Sequence, residues 1–161
     1  MIGTPRFNSA RTTPNGFSLL ELVVVLAVIT VVSSIAIPRY ASALSRYRVE
    51  TAAHRLARDY AYAAARARAT SAQVMVLYDV FTDSYIMTNS VALNDADMLY
   101  KVDLAAEPYR ADITLVNFGG SATLIFDGYG NAHADGIIYL TAGGETRTIA
   151  FNKETGEAVI Q

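Results

Sequence analysis

The chain has 161 residues, a formal net charge of −2 and no cysteine. The absence of cysteine excludes a disulfide framework, a thiolate metal site and a cysteine nucleophile. Once a short leader and one membrane segment are set aside, the remaining length predicts a single domain of ordinary size.

The first 16 residues have the features of a targeting segment. They contain Arg6 and Arg11 but no acidic residue, and they are rich in threonine, proline and asparagine. A secretory signal places its cleavage site after the apolar core, whereas here helix-forming sequence follows the core directly. We therefore predict that residues 1–16 are a leader and that cleavage occurs before the core, after Gly16.

An apolar run extends from Phe17 to Ile37 with one charge, Glu21, near its start. As a helix it would be about 30 Å long, which is the thickness of the hydrocarbon core of a bilayer. An ionised glutamate inside hydrocarbon costs at least about 2.5 kcal/mol, so such a residue usually has a partner or a function. We predict a membrane-spanning and assembly helix over residues 17–38.

The leader ending in Gly16, followed by Phe17 and a leucine- and valine-rich run with Glu21, resembles the signal of type IV pilins and pseudopilins. In that family a membrane aspartyl peptidase cuts after the glycine and the new N-terminus is methylated. The resemblance implies cleavage after Gly16 and N-methylation of Phe17. It also gives Pro38 an assembly role, because many pilins carry a helix-kinking proline at this place.

The same resemblance supplies a partner for Glu21. Cleavage would free a positively charged amine on Phe17, and the amine of one subunit could face the carboxylate of its neighbour. Removing one member of such a buried pair costs about 3 to 5 kcal/mol, so the pair would set the register of assembly. The alternative is that Glu21 extends to the membrane interface.

Residues 39–72 are rich in alanine and arginine and predict an amphipathic helix. Apolar residues recur along it at alternating spacings of four and three: Val49, Ala53, Leu56, Tyr60, Ala63 and Ala67. We expect this face to cover a sheet of the same subunit, with a seam to a partner helix as the alternative. Arg46 with Glu50, and Arg55 with Asp59, are expected to form exposed pairs.

Residues 73–161 predict a β-rich head. Seven short runs have strand character and are separated by turn residues: 73–78, 84–88, 113–118, 123–126, 137–141, 146–151 and 158–160. Short strands joined by tight turns favour antiparallel pairing, and residues 91–111 are expected to form a surface loop. The predicted fold is α+β and pilin-like, with one long N-terminal helix whose second half packs on the antiparallel sheet.

Charge is distributed unevenly between these segments. Residues 39–72 contain seven arginines and two acidic residues, whereas residues 73–161 contain four basic and twelve acidic residues. Basic helices and acidic heads could complement each other between subunits, or both could be solvated faces. The arginines after the apolar run would favour a cytoplasmic head by the positive-inside rule. The pilin-like leader implies the opposite topology, a single pass through the bacterial inner membrane with a periplasmic head.

The head offers little to support catalysis. Asp127, His133 and Asp135 lie close in sequence, and Asp127, Asn131 and Asp135 are weak candidates for calcium, but their order does not fit a calcium loop and a plain turn is favoured. His54 is expected to be a surface residue. No catalytic or phosphate-binding motif is present, so we expect neither an enzyme nor a cofactor.

Residues 120–161 resemble the C-terminal half of the minor pseudopilin H and FimT-like branch in the placement of their glycines and turns. This resemblance implies a minor subunit that initiates or caps a type II secretion pseudopilus or a type IV pilus. Its partners would be other pilin or pseudopilin subunits, the prepilin peptidase and methyltransferase, and the inner membrane. The alternative is a DNA-binding minor pilin of natural transformation, which the acidic head disfavours because DNA binding needs exposed basic residues.

Overall fold

The computed structural model describes residues 16–92 and 95–161. The chain forms two compact units, Met1–Pro38 and Arg39–Gln161. The helix α1 (Leu19–Thr70) begins in the first unit and ends in the second, and all the strands described here belong to the second. They are β1 (Val74–Asp79), β2 (Ser84–Ala92), β3 (Asp95–Asp103), β4 (Asp112–Phe118), β5 (Thr123–Phe126), β6 (Gly136–Ala142), β7 (Glu145–Asn152) and β8 (Glu157–Ile160).

The helix ends where the sequence stops favouring it. Ser71 adopts a left-handed conformation with φ of 50°, and the amide of Ala72 donates to the carbonyl of Ala67 at 3.3 Å. This hydrogen bond satisfies one of the carbonyls that every helix end leaves unpaired. Arg68 lies in the last turn, where a cation interacts favourably with the helix dipole.

The predicted apolar face of residues 49–67 is confirmed. The side chains of Val49, Ala53, Leu56, Tyr60, Ala63 and Ala67 are all buried. Three of these six side chains are alanines, which allow the backbone of α1 to approach the sheets. The larger Leu56 and Tyr60 fill the space that the alanines leave between helix and strands.

The strands form two four-stranded antiparallel sheets. The first has the order β3-β2-β1-β5 and the second has the order β4-β6-β7-β8. The connection between β6 and β7 is a tight turn at Gly143 and Gly144, which both have positive φ. Together with α1, the two sheets confirm the predicted α+β fold with a long N-terminal helix and an antiparallel head.

Aromatic rings from the helix and both sheets meet in one core. The ring of Tyr60 packs edge-to-face on Phe118 of β4 and Phe151 of β7, with centroids 6.2 and 5.4 Å apart. The hydroxyl of Tyr78 on β1 donates to the hydroxyl of Tyr60 at 2.7 Å. Tyr60 therefore connects the first sheet to the second through the helix.

The prediction of a surface loop over residues 91–111 was wrong in its first half. β2 continues to Ala92, and β3 pairs with it in antiparallel register from Asp95 to Asp103. From Leu99 to Leu104 exposed and buried residues alternate, which is the period of a half-buried strand. The aspartates at both ends of β3 concealed this alternation in the sequence.

The two predicted arginine–carboxylate pairs differ from expectation. Arg46 lies 3.6 Å from Glu145, while Glu50 accepts from Arg147 of β7 at 2.7 Å. Helix spacing allows Arg46 and Glu50 to pair, but the turn and strand packed beside them offer other partners. The pair of Arg55 with Asp59 forms at 3.2 Å, but Asp59 is buried and the pair does not lie on the surface.

Candidate processing and assembly site

The residues around the predicted cleavage point precede the helix. Gly16, Phe17 and Ser18 have no regular secondary structure, and the carbonyl of Ser18 accepts the first hydrogen bond of the helix, from the amide of Leu22 at 3.1 Å. Among the described residues beyond its chain neighbours, no atom lies within 4 Å of the position that a Cβ would take at Gly16, and Phe17 is 84% exposed. The peptide bond after Gly16 is therefore open to an enzyme.

Glu21 lies in the first turn of α1 and is exposed. A carboxylate at this position interacts favourably with the positive end of the helix dipole. Among the residues that the structure describes, no cationic group lies within 4 Å of Glu21.

The helix around Glu21 is uncovered along its whole apolar stretch. α1 is long and apolar enough to cross a membrane, judged by length and composition, and none of its most apolar 18-residue window is buried. Leucine, valine and isoleucine side chains point outward in every direction over residues 19–37. A helix that is apolar all round is suited to lipid or to packing among similar helices.

Pro38 lies inside α1, at the end of the apolar stretch. Proline has no amide hydrogen, so the carbonyl of Ser34 lacks its usual donor four residues later. Nearby polar side chains bond back to the helix: the hydroxyl of Thr30 donates to the carbonyl of Leu26 at 2.8 Å, and that of Ser34 to the carbonyl of Val31 at 2.7 Å. In an apolar environment these bonds satisfy the two hydroxyl groups, so neither side chain needs a hydrogen-bond partner from outside its own helix.

The weak metal candidates of the head take part in turn structure. Asp127 accepts hydrogen bonds from the amides of Tyr129 and Asn131, at 2.9 and 2.8 Å, and the Asn131 side chain donates to it at 3.3 Å. These bonds lower the pKa of Asp127, with the backbone bond from Asn131 as the largest cause. Asp135 accepts from the amide of Lys153 at 2.8 Å.

The two histidines have simple surroundings. The Nδ1 atom of His133 accepts a hydrogen bond from the amide of Ile125 at 3.2 Å, and His54 lies 3.4 Å from Glu50 on the exposed side of the helix. In the part of the chain that the structure describes, no three histidine, aspartate or glutamate side chains converge as a metal site would require.

The head contains a buried polar cluster that the sequence analysis missed. The Oδ2 atom of Asp59 accepts from the hydroxyls of Tyr85 on β2 and Tyr100 on β3, at 2.5 and 2.7 Å, and from Arg55 at 3.2 Å. Arg55 also donates to the Tyr100 hydroxyl at 2.6 Å. We call these four residues the Asp59 cluster. The position of Asp59 directly before Tyr60 on the buried face was the signal in the sequence.

The cluster perturbs the ionisation of its members. Burial raises the pKa of Tyr85 well above its ordinary value, and the negative charge of Asp59 raises it further. Burial and the hydrogen bond to Asp59 also raise the pKa of Tyr100. Burial lowers the pKa of Arg55, but Asp59 and the tyrosines outweigh this and leave it above the usual value. The tyrosines are therefore neutral donors, and the cluster anchors the helix to the first sheet.

Comparisons with known proteins agree with the N-terminal features. Residues 12–37 match the protein family described as "Prokaryotic N-terminal methylation motif". No curated protein matches the chain. The crystal structure of the type IV minor pilin FimU of Pseudomonas aeruginosa aligns with a TM-score of 0.49 and 16% sequence identity, covering 72% of this chain and 88% of that one.

Residues 12–37 thus carry the N-terminal methylation motif, and an uncovered apolar helix and an α+β head follow it, which are the features that the resemblance to type IV pilins implies. The resemblance noted in the sequence is confirmed at this level. Proteins of the pilin type are processed by a prepilin peptidase and assemble with other pilins.

Proposed function

We propose that the protein is made as a precursor, cut after Gly16, methylated on Phe17, and then incorporated as a minor subunit of a type IV pilus or a type II secretion pseudopilus. The observation that carries this proposal is the match of residues 12–37 to the methylation motif, directly before an uncovered apolar helix. The exposed, non-helical stretch around Gly16 supports it, because a peptidase needs an accessible backbone.

Glu21 is the group that selects an incoming neighbour. Its carboxylate is exposed and has no cation beside it among the described residues, whereas the amine of a processed Phe17 would be a cation in the same apolar layer. Bringing the two together between subunits would compensate both charges in low dielectric, and leaving either alone would cost several kcal/mol. The pair therefore favours one axial register of the helices.

The head contributes structure and contacts to the assembly. Before assembly, the apolar helix would anchor the precursor in the inner membrane with the head on the periplasmic side. From there the subunit would start or cap a fibre. The buried polar atoms described above are engaged in hydrogen bonds that hold the head together, which suits a structural subunit.

Processing is tested by mass spectrometry of the N-terminus of protein extracted from membranes. Wild type is expected to start at a methylated Phe17, and Gly16→Lys is expected to keep the leader. Gly3→Lys is the matched control, because it places the same charge in the leader away from the cleavage point. A wild-type product that starts at Met1, or one trimmed beyond Ala36, would overturn the proposal.

Incorporation is tested with Glu21→Ala. We expect normal cleavage but at least tenfold less protein in sheared fibres, since the amine of the neighbour loses its partner. Thr30→Ala is the control, because it changes a polar side chain of the same stretch that bonds only to its own helix. Wild-type amounts of Glu21→Ala in fibres would refute the role of this carboxylate.

A further inference from the structure

The turn between β1 and β2 displays an aromatic side chain in full. Phe81 is 99% exposed and the adjoining Val80 is 40% exposed. The phenylalanines of the strands, Phe118, Phe126 and Phe151, are buried in the core. A fully exposed phenylalanine is costly to hydrate and is frequent at the centre of protein interfaces.

Hydrogen bonds hold this turn in one conformation. The carboxylate of Asp79 accepts from the amides of Phe81 and Thr82 at 2.9 and 3.4 Å. The carboxylate of Asp83 accepts from the amide of Ile113 at 2.7 Å. We call residues 79–83 the Phe81 turn. Because its backbone is already ordered, little conformational entropy would be lost when Phe81 enters a partner.

The surroundings of the Phe81 turn are acidic. Asp79 and Asp83 belong to it, Asp103 lies opposite Ser84 on the paired strand, and Asp112 precedes the residue whose amide bonds to Asp83. Lys101 on β3 is a cation near Asp79. A partner for Phe81 would therefore be apolar where the ring enters and cationic at its border.

The same chain presents a surface with these properties on α1. Tyr40 and Tyr47 are 71% and 65% exposed, and their spacing of seven residues places them on one side of the helix. Ala43, also exposed, lies between them. We call these three residues the tyrosine face. Arg39 and Arg46 border it, and residues 39–47 contain no acidic residue, although Arg46 also lies 3.6 Å from Glu145.

We propose that the Phe81 turn of one subunit packs on the tyrosine face of a second copy of this chain, with its aspartates beside Arg39 and Arg46. The ring would lie over Ala43, between the two tyrosines. The exposure of both surfaces means that they do not cover each other within one chain. This contact rests on the proposed function, because the helices of two copies must lie side by side.

The positions of the two surfaces along the head agree with such a contact. The carbonyl of Asp83 accepts from the amide of Leu104 at 2.8 Å, and the nearby Glu107 lies 3.4 Å from Arg48 of the helix. The Phe81 turn is thus at the end of the head close to residue 48, directly after the tyrosine face. Both surfaces lie at this end of the head, so parallel copies would need only a small axial offset for the proposed contact to form.

Disulfide cross-linking between full-length copies in membranes tests the contact, since the chain has no cysteine of its own. One tagged copy carries Phe81→Cys and a differently tagged copy carries Ala43→Cys, and we expect a mixed dimer on oxidation. Ala65→Cys in the second copy is the control, because Ala65 is exposed on the helix beyond the tyrosine face. Equal cross-linking to positions 43 and 65 would overturn the proposal.

A helix control separates this contact from the proposed function. Ala27→Cys in both copies reports whether the apolar helices associate. If the Ala27→Cys dimer forms and the mixed dimer does not, the contact at Phe81 is refuted while the proposed function stands. If neither dimer forms, the contact is refuted because two copies do not lie side by side, and the proposed function is then decided by the processing and incorporation tests described above.

Capture of one tagged full-length copy by another measures the contribution of the ring. We expect Phe81→Ser to weaken capture about tenfold, as for a buried interface anchor, and Phe81→Leu to retain most of it. Tyr129→Ser is the matched control, because Tyr129 is 81% exposed on another turn of the head. If Phe81→Ser leaves capture unchanged but lowers binding of the protein to protein-free lipid vesicles, the turn contacts lipid and the proposal is wrong.

Discussion

The two halves of α1 are helical for different reasons. Over residues 19–38 the exposed side chains are mostly apolar and none of the most apolar window is buried, so this half depends on an environment that the chain does not supply. Over residues 49–67 nine side chains are buried against the two sheets. A single helix can thus combine a stretch that is specified by composition with one that is specified by packing.

Each half also has one carboxylate among apolar neighbours, and the two carboxylates differ in the partners that the chain provides for them. Asp59 receives hydrogen bonds from two tyrosine hydroxyls and an arginine of its own chain. Glu21 has no cation beside it among the described residues. An acidic group with its donors inside the fold stabilises the head, whereas we propose that Glu21 takes its partner from a neighbouring subunit. The following substitutions test this contrast in the full-length chain held in detergent micelles.

The largest effect is expected at Asp59. Asp59→Ala removes the shared acceptor and leaves Tyr85, Tyr100 and Arg55 without it, so the free energy of unfolding should fall by about 4 kcal/mol. Denaturant unfolding followed by tyrosine fluorescence measures this loss. Asp59→Asn keeps an acceptor oxygen and should lose less. The contrast fails if Glu21→Ala destabilises the head as much as Asp59→Ala does.

A slightly smaller loss is expected at Leu56. This side chain is fully buried between helix and sheets, and its truncation to alanine should cost about 3 kcal/mol through lost burial and the cavity left behind. Leu26→Ala makes the same change in the uncovered half and should leave the unfolding of the head unchanged. Equal losses at the two positions would show that packing does not distinguish the two halves.

Alkaline pH should weaken the head and spare the apolar half. Burial raises the pKa of Tyr78 and Tyr85 above the ordinary value of about 10, so the folded head holds these protons more tightly than the unfolded chain. Stability is therefore unaffected below about pH 10 and falls above it, by about 1.4 kcal/mol per pH unit for each tyrosine. Tyrosinate absorbance should rise together with the loss of tertiary structure. Ionisation of all the tyrosines in a folded head would contradict this prediction.

The smallest effect is expected at the pair of Glu50 and Arg147. Their atoms are 2.7 Å apart, but both side chains are partly exposed to solvent. Exposed ion pairs contribute about 1 kcal/mol or less, so Glu50→Gln should change the free energy of unfolding only slightly. Unfolding at low and high salt measures the difference. A loss as large as that of Asp59→Ala would mean that burial does not explain the difference in stability expected between the Asp59 and Glu50 variants.

Sequence patterns predicted most of the fold because they are local. The spacing of Val49, Leu56 and Tyr60 identified the buried face of the helix, and turn residues located seven of the strands close to their observed bounds. β3 was missed because its terminal aspartates hid a short alternation that only its pairing with β2 reveals. The Asp59 cluster was mistaken for a surface pair because its tyrosines come from strands more than 25 residues away.

The sequence by itself predicted a leader and determined the apolar stretch with its single carboxylate and the amphipathic helix, since these depend on composition and on spacing along one segment. The tertiary structure decided which charges are buried and which aromatic rings are displayed. Asp59 and Phe81 show the reason. Asp59 is buried because tyrosines on distant strands donate hydrogen bonds to it, whereas Phe81 is exposed because it lies in a hydrogen-bonded turn. The fate of such side chains depends on neighbours that no local pattern contains.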